Sequence, residues 1–212
     1  MTGQSWTPAS RDTPLSDDVG RALLARRVVL VHGAVGDAAA GQLAAMLMML
    51  DAAGDERIVV RMTGATSTLE CAMSLMDVLA VVGVPVDMVG GGTISGGAVG
   101  VFAMGRRRLL SAHARLHLHE PDVSVSGRAT EIERTLAAAD SLRDRFFERL
   151  ATSTRRPLSH VAGEWGAGTY LDAADAVTLG YADGVESAAG RGPRDTGDGA
   201  HPAEGRDAEL GD

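Results

Sequence analysis

The chain has 212 residues, of which 45% are hydrophobic but only 3% aromatic, and a formal net charge of −8. Its length suits one ordinary domain with a sizeable core built mainly from Ala, Val, Leu and Met side chains. The acidic balance argues against nucleic-acid binding, which needs a basic face to neutralise phosphates. We therefore predict a globular protein without a nucleic-acid partner.

The composition also bears on the compartment. Cys71 is the single cysteine, so it cannot form an internal disulfide, a pattern typical of a reducing environment. The N-terminus lacks the basic start and apolar run of a secretory signal, and no segment approaches the roughly 18 apolar residues of a membrane span. The sequence predicts a cytoplasmic protein with no membrane partner.

Both ends of the chain differ in composition from its middle. Residues 1–18 are polar and carry Pro8 and Pro14, which predicts a flexible arm. Residues 188–212 are rich in Gly, Pro and acidic residues and have little to bury, which predicts a disordered tail. One folded domain is left at residues 19–187.

Strand-like and helix-like segments alternate within that domain. The apolar runs 28–32, 58–62 and 84–89 predict buried strands. Asp37 and Thr68 are the predicted caps of the helices that follow the first two strands. This alternation predicts right-handed crossovers, a mainly parallel sheet and an α/β fold class.

The later part of the domain predicts one more strand and a long helix. Residues 114–119 alternate with period two, and residues 130–133, TEIE, have the form of a capping box. The helix that follows has one apolar face, formed by Ile132, Leu136, Ala139, Leu142, Phe146 and Leu150. Such a helix either covers the core or protrudes to meet another subunit, and the pattern is compatible with both.

The stretch GGGTISGGAVGVFAMG, residues 90–105, places Ser95 among closely spaced glycines. A phosphate-binding loop is one interpretation, but the Gly-Lys-Ser/Thr of the P-loop is absent and Ser95 stands where the dinucleotide fingerprint needs a glycine. A second is a nucleophile on a strand-to-helix turn, where Ser95 Oγ is exposed and the N–H of Gly96 faces a developing oxyanion. A third is close helix-to-sheet packing, with Ser95 as a helix cap.

A serine nucleophile needs a base within hydrogen-bond reach. His119 ends a strand-like run just before Glu120 and Pro121, at the strand end where sites of parallel sheets gather. His117 lies on the same side of that strand, so a metal-binding pair is an alternative. No cysteine or well-spaced carboxylate completes such a site, and we predict no metal.

Together these residues resemble the proteolytic subunit of the Clp protease (ClpP), a self-compartmentalising serine peptidase of the crotonase-like fold. The resemblance covers about residues 23–185. GRATEIERTL is similar to the opening of the family's handle helix, here about residues 122–155, and DAADAVTLGYADGV to its closing segment. The family's G-x-x-x-S-x-G-A segment and His-Gln-Pro turn are matched by Gly91, Ser95, Gly97 and Ala98, and by His119, Glu120 and Pro121.

The resemblance implies a fold, a site and an assembly. The fold is a superhelix of repeated strand–strand–helix units with a protruding handle helix. The implied nucleophile is Ser95 and the base is His119, while the N–H groups of Gly96 and Ser67 form the oxyanion hole. The implied partners are copies or paralogues of this chain in stacked rings, unfolded polypeptides as substrates and a hexameric AAA+ Clp ATPase; no cofactor is implied.

Two positions depart from the family's pattern. Gly168 stands where the family has its triad aspartate, so the acid is absent from that position. Asp172 is the nearest acid along the chain but has the form of a helix N-cap, and Glu164 and Glu120 are further acidic candidates. Residues 64–67 match the family's Ser-Pro-Gly-Gly segment, where Ser67 replaces the glycine that donates an oxyanion N–H.

The departures bear on activity. In serine proteases the loss of the triad aspartate costs about 10⁴-fold in turnover. We therefore expect a Clp-type, ATP-dependent serine endopeptidase subunit with impaired catalysis. Two alternatives stay open: a non-catalytic or regulatory subunit of a mixed ring, and a crotonase-like acyl-CoA enzyme, which shares the fold and the oxyanion chemistry.

Overall fold

The computed structural model describes residues 17–119 and 126–186. The predicted N-terminal arm up to residue 16, the predicted tail and the Glu120–Pro121 turn lie outside the described residues. Within the described ranges, no helix is both long enough and apolar enough to cross a bilayer.

Helices and strands alternate along most of the described chain. The helices are α1 (Asp17–Leu24), α2 (Asp37–Ala52), α3 (Leu69–Val81), α4 (Gly97–Ala103), α5 (Ala129–Thr154), α6 (Leu158–Gly166) and α7 (Ala173–Thr178). The strands are β1 (Val28–Val35), β2 (Ile58–Ser67), β3 (Val86–Gly91), β4 (Thr93–Gly96), β5 (Arg107–Leu110), β6 (Arg115–His117), β7 (Tyr170–Asp172) and β8 (Gly184–Val185).

The strands form one sheet in the order β7-β6-β4-β2-β3-β5-β8, and β1 also pairs with β2. Every pairing is parallel except that of β6 with β7, which is antiparallel. The predicted α/β class and mainly parallel sheet are confirmed, and the architecture is consistent with the ClpP and crotonase-like fold. The antiparallel pair brings residues 170–172 beside β6.

Strand β2 is longer than the apolar run that predicted it, because it continues to Ser67. Its first part pairs with β3, and its last residues, Thr66 and Ser67, pair with β4. Two glycines with positive φ, Gly64 (59°) and Gly92 (62°), lie where the partner changes. A Cβ on Gly92 would lie 3.3 Å from the backbone nitrogen of Gly64, so the close approach depends on glycine.

The core lies between the sheet and the helices packed on it. Alternate residues of β2, such as Ile58, Val60 and Met62, are buried. Helix α2 packs on β1 and α4 on β2 and β3, while α3 packs against both of these helices. Phe146, Phe147 and Trp165 form an aromatic cluster, in which Phe146 of α5 meets Trp165 of α6 edge-on at a ring-centroid distance of 5.1 Å. These rings anchor the C-terminal half of α5 to the domain.

Two of the predicted helix starts were wrong, and one is confirmed. Thr68 caps α3, since its hydroxyl accepts the backbone N–H of Cys71. The residue before α2 is Gly36, and Asp37 is the first helical residue; its carboxylate accepts the Cys71 thiol instead, at 3.2 Å. Thr130 does not cap α5, because the helix already begins at Ala129; the Glu131 carboxylate accepts the backbone N–H of Arg128, two residues earlier than the pattern indicates.

Helix α5 combines the two arrangements left open for it. Its C-terminal half is anchored, with Phe146, Phe147 and Leu150 buried. Its N-terminal half is exposed on most sides, and Leu136 of the predicted apolar face is 43% exposed. The predicted face is therefore half core and half surface.

Candidate active site

The glycine-rich stretch contains the end of β3, the short strand β4 and helix α4, and the chain turns sharply just after Ser95. Ser95 is the next-to-last residue of β4, and α4 begins at Gly97. Between them Gly96 has φ 56° and ψ −143°, a conformation that is essentially restricted to glycine. The serine therefore lies on the kind of strand-to-helix turn that exposes a nucleophile.

The alternative in which Ser95 caps the helix was wrong. The residue before α4 is Gly96, and no side chain caps this helix. Close packing does explain Gly97, because a Cβ there would lie 2.8 Å from Ala72 Cβ and 2.9 Å from Ser67 Oγ. Both the sharp turn and the close packing therefore require glycines, and Ser95 Oγ is left available for other contacts.

His119 lies beside this turn. Strand β6 is shorter than predicted and ends at His117, which is the register partner of Ser95 on β4. His119 follows two residues later, and its Nε2 is 3.4 Å from the point where a Cβ on Gly96 would lie. Ser95 and His119 are both half-buried. The chain thus brings the predicted nucleophile and base to one end of the parallel strands.

Ser67 is the cross-strand neighbour of Gly96, which places the two predicted oxyanion donors side by side. Ser67 does not have a positive φ; in this segment the left-handed residue is Gly64. The backbone at Ser67 is therefore one that a non-glycine residue adopts without strain. Its Oγ is buried and makes no hydrogen bond to the part of the chain that the structure describes.

Gly168 precedes β7, which pairs with β6 on the side away from β4. The antiparallel register pairs His117 with Tyr170, and the Leu118 N–H donates to the Thr169 carbonyl at 2.8 Å. Continued by one residue, this register brings Gly168 opposite His119. Within residues 17–119 and 126–186, no atom beyond the immediate chain neighbours lies within 4 Å of a Cβ placed on Gly168.

The three acidic candidates lie in different surroundings. Asp172 accepts the N–H groups of Ala174 and Asp175, both at 2.9 Å, and is the register partner of Arg115, four residues before His119. This placement favours the capping role that the sequence predicts. Glu164 forms two 2.6 Å hydrogen bonds with Arg156. Glu120 lies outside the described residues.

A stack of rings adjoins the site. The rings of His117 and Tyr170 are parallel within 7°, with centroids 3.8 Å apart, and the rings of His117 and His119 have centroids 4.5 Å apart. Burial, and secondarily the charge of His119, lowers the pKa of His117. The sequence indicated that the two histidines share a side of β6, but Tyr170 lies far along the chain and no pattern linked it to them.

Comparison with known proteins identifies the family. The Clp protease family model matches residues 10–189, which is most of the chain. The chain therefore belongs to the Clp protease family. The resemblance inferred from Ser95, His119 and the handle segment is confirmed at this level.

Curated relatives match at low identity over most of their length. The ATP-dependent Clp protease proteolytic subunit 3 of Rhizobium etli is 25% identical over 182 residues, which are 85% of this chain and 94% of the relative. Subunit 2 of Gluconobacter oxydans is 26% identical over 178 residues, 82% of this chain and 79% of the relative. Subunit 2 of Thermobifida fusca is 23% identical over 175 residues, 81% of this chain and 86% of the relative. This chain is a divergent member of the family.

Proposed function

We propose that the chain is a proteolytic subunit of the Clp type, in which Ser95 and His119 hydrolyse peptide bonds. The observation that carries the proposal is the turn at Gly96: it follows Ser95 at the end of β4, and His119 Nε2 lies 3.4 Å from the point where a Cβ on Gly96 would be. Membership of the Clp protease family supports the same reaction.

The proposed reaction has two stages. Ser95 Oγ attacks the peptide carbonyl carbon while His119 Nε2 takes the hydroxyl proton. The tetrahedral oxyanion is held by the N–H groups of Gly96 and Ser67, and its collapse breaks the C–N bond as His119 gives its proton to the leaving amine. Water then attacks the acyl ester, losing a proton to His119, and the second collapse returns that proton to Ser95 Oγ.

Turnover is expected to be slow. A triad aspartate fixes the histidine tautomer and stabilises the imidazolium, and its loss in serine proteases costs about 10⁴-fold. Position 168 supplies no carboxylate to His119. We therefore propose an endopeptidase that keeps its nucleophile, base and oxyanion donors but has impaired catalysis.

The proposed assembly follows the family. Stacked rings of this chain, or of this chain with a ClpP paralogue, enclose the sites, and a AAA+ Clp ATPase delivers unfolded polypeptides in the cytoplasm. The exposed N-terminal half of α5 supports contact with another subunit, because it leaves apolar side chains such as Leu136 at the surface.

Peptide hydrolysis by the assembled protein tests the proposed activity. We expect Ser95→Ala and His119→Ala each to abolish hydrolysis of a fluorogenic peptide above the buffer rate. Thr93→Ala is the matched control, since this exposed residue lies on the same strand and has no proposed role. Hydrolysis that survives in Ser95→Ala would exclude this serine as the nucleophile.

A non-catalytic subunit of a mixed ring is the second candidate. Two observations on the described residues favour it: position 168 carries no acid, and the buried Ser67 Oγ has no hydrogen-bond partner among them. Both positions correspond to catalytic parts of the family. Rings reconstituted from an active paralogue with either the wild-type chain or Ser95→Ala separate the two functions. Equal activity of the two rings favours the regulatory role, and lower activity with Ser95→Ala excludes it.

The acyl-CoA alternative stays a prediction with its own test. An enzyme of that class would bind acyl-CoA in solution, which calorimetry measures directly. Heat of binding that survives in Ser95→Ala would favour it over the peptidase.

A further inference from the structure

We propose that His117, stacked on Tyr170, is a positioning residue that holds the His119 ring in the orientation needed to accept the Ser95 proton. The proposal rests on the peptidase function proposed above. It assigns a role to two side chains that the hydrolytic reaction does not itself require.

The three side chains lie in one row across the sheet. Ser95 on β4 is the register partner of His117 on β6, and His117 is the register partner of Tyr170 on β7. Register partners on neighbouring strands point to the same face of the sheet. His119, two residues after His117, points to that face as well. The row therefore leads from the nucleophile through His117 to an aromatic ring at the edge of the sheet.

The rings form a continuous column. Tyr170 lies parallel to His117 at 3.8 Å, and His117 lies against His119 at 4.5 Å with an interplanar angle of 36°. At these distances the faces are in contact, so rotation of His119 toward His117 is blocked while the His117–Tyr170 stack is in place. Tyr170 is 59% exposed, so its ring adds little to the core and its main described contact is this stack.

The charge on His117 suits this role. Burial and the neighbouring His119 lower the pKa of His117, which favours its neutral form at neutral pH. The charged residues two positions away on the same two strands are Arg115 and its register partner Asp172, which are of opposite sign. When His119 becomes an imidazolium, it therefore meets a neutral ring rather than a second cation.

The missing side chain at position 168 explains why such support matters. In a triad the aspartate orients the histidine through a hydrogen bond. Here position 168 has no side chain, while His117, stacked on Tyr170, packs against the His119 ring. Orientation by packing restores the geometry of the base but supplies no negative charge, which agrees with a slow enzyme that is not inert.

The test compares variants that keep or remove the stacked ring. In the assembled full-length protein, we expect His117→Leu to lower kcat for peptide hydrolysis by roughly ten- to a hundredfold, the scale of a misplaced catalytic group, with KM unchanged. His117→Phe keeps an aromatic ring of similar size and should stay within about threefold of wild type, since stacking survives the change. A rise in KM with kcat unchanged, or equal loss in both variants, would overturn the proposal.

Tyr170→Ala gives a second measurement that does not disturb the core, because this side chain is mostly exposed. We expect it to lower kcat, and Tyr170→Phe to restore it. If His117→Leu fails to assemble, an unchanged kcat in Tyr170→Ala overturns the proposal by itself.

The same measurements separate failure of this inference from failure of the proposed function. If the wild-type protein neither hydrolyses peptide nor is labelled at Ser95, the proposed function fails and this inference fails with it. If the wild-type protein is active and the ring variants match it, only the positioning role fails.

Discussion

At the residue scale, Gly168 is the position at which the proposed site lacks an acid. It follows α6, and its φ of 64° is one that most side chains avoid. Its N–H donates to the Trp165 carbonyl at 3.1 Å, closing the last helical turn. Glycine is therefore favoured here by the local backbone, whatever it does to catalysis. Aspartate is among the few residues that also tolerate this conformation.

Replacing Gly168 by aspartate should raise activity. A Cβ at this position has no neighbour within 4 Å among the described residues, so none of them blocks a carboxylate there. Because the triad aspartate is worth about 10⁴-fold in serine proteases, we expect Gly168→Asp to recover at least about tenfold in kcat. Gly168→Asn is the matched control, since it has the same shape without the charge. Equal rates in the two variants would contradict the account of the missing acid.

Some residues of the candidate site could be predicted from the sequence, and others could not. Ser95, Gly96 and His119 were predicted from a glycine-rich turn, a strand end and the family resemblance, and the structure brings them together; their catalytic roles stay predictions. The His117–Tyr170 stack could not be predicted, because it depends on an antiparallel pairing between segments far apart in the chain.

At the element scale, the glycines of residues 90–105 allow β4 and α4 to pack closely against β2 and α3. A Cβ on Gly97 would lie 2.8 Å from Ala72 Cβ, so α4 and α3 touch at their starts. Elements with regular apolar patterns, such as β1, β2 and α3, were predicted correctly. Strand β4 was not, because it is only four residues long, ends in glycine and is defined by its pairing with β2 and β6.

Gly97→Ala tests this close packing. The added methyl group collides with Ala72 and the end of β2, so we expect the free energy of unfolding to fall by about 1–3 kcal/mol, the usual cost of overpacking. Gly41→Ala, inside α2 with nothing within 4 Å, is the control and should raise stability by about 0.5–1 kcal/mol. Denaturant unfolding measures both. A Gly97→Ala variant as stable as wild type would show that the helices separate without cost.

At the scale of the whole molecule, α5 is the helix that packs on the domain with one half and exposes the other. Its base is fixed by Phe146 and Phe147 against Trp165, and its N-terminal half extends beyond that cluster. The apolar face was predictable from its spacing. Which half of it the domain covers was not, since that depends on where α6 packs.

A charge on the exposed half of α5 should weaken assembly without unfolding the domain. Leu136 is 43% exposed, so Leu136→Glu costs little within one chain but places a carboxylate where an apolar contact between subunits is proposed. We expect a lower mass by light scattering and an unchanged circular dichroism spectrum. Ala138→Glu adds the same charge on the opposite side of the helix and should leave the mass as in wild type. An unchanged mass for Leu136→Glu would remove α5 from the interface.

Covalent labelling with a fluorophosphonate tests the central claim most directly, because it requires an activated serine and no turnover. In the assembled wild-type protein, mass spectrometry should locate the label on Ser95, with strongly reduced labelling in His119→Ala and none at this position in Ser95→Ala. Labelling of another serine, or none in the assembled wild-type protein, would contradict the claim that Ser95 and His119 form a working nucleophile and base.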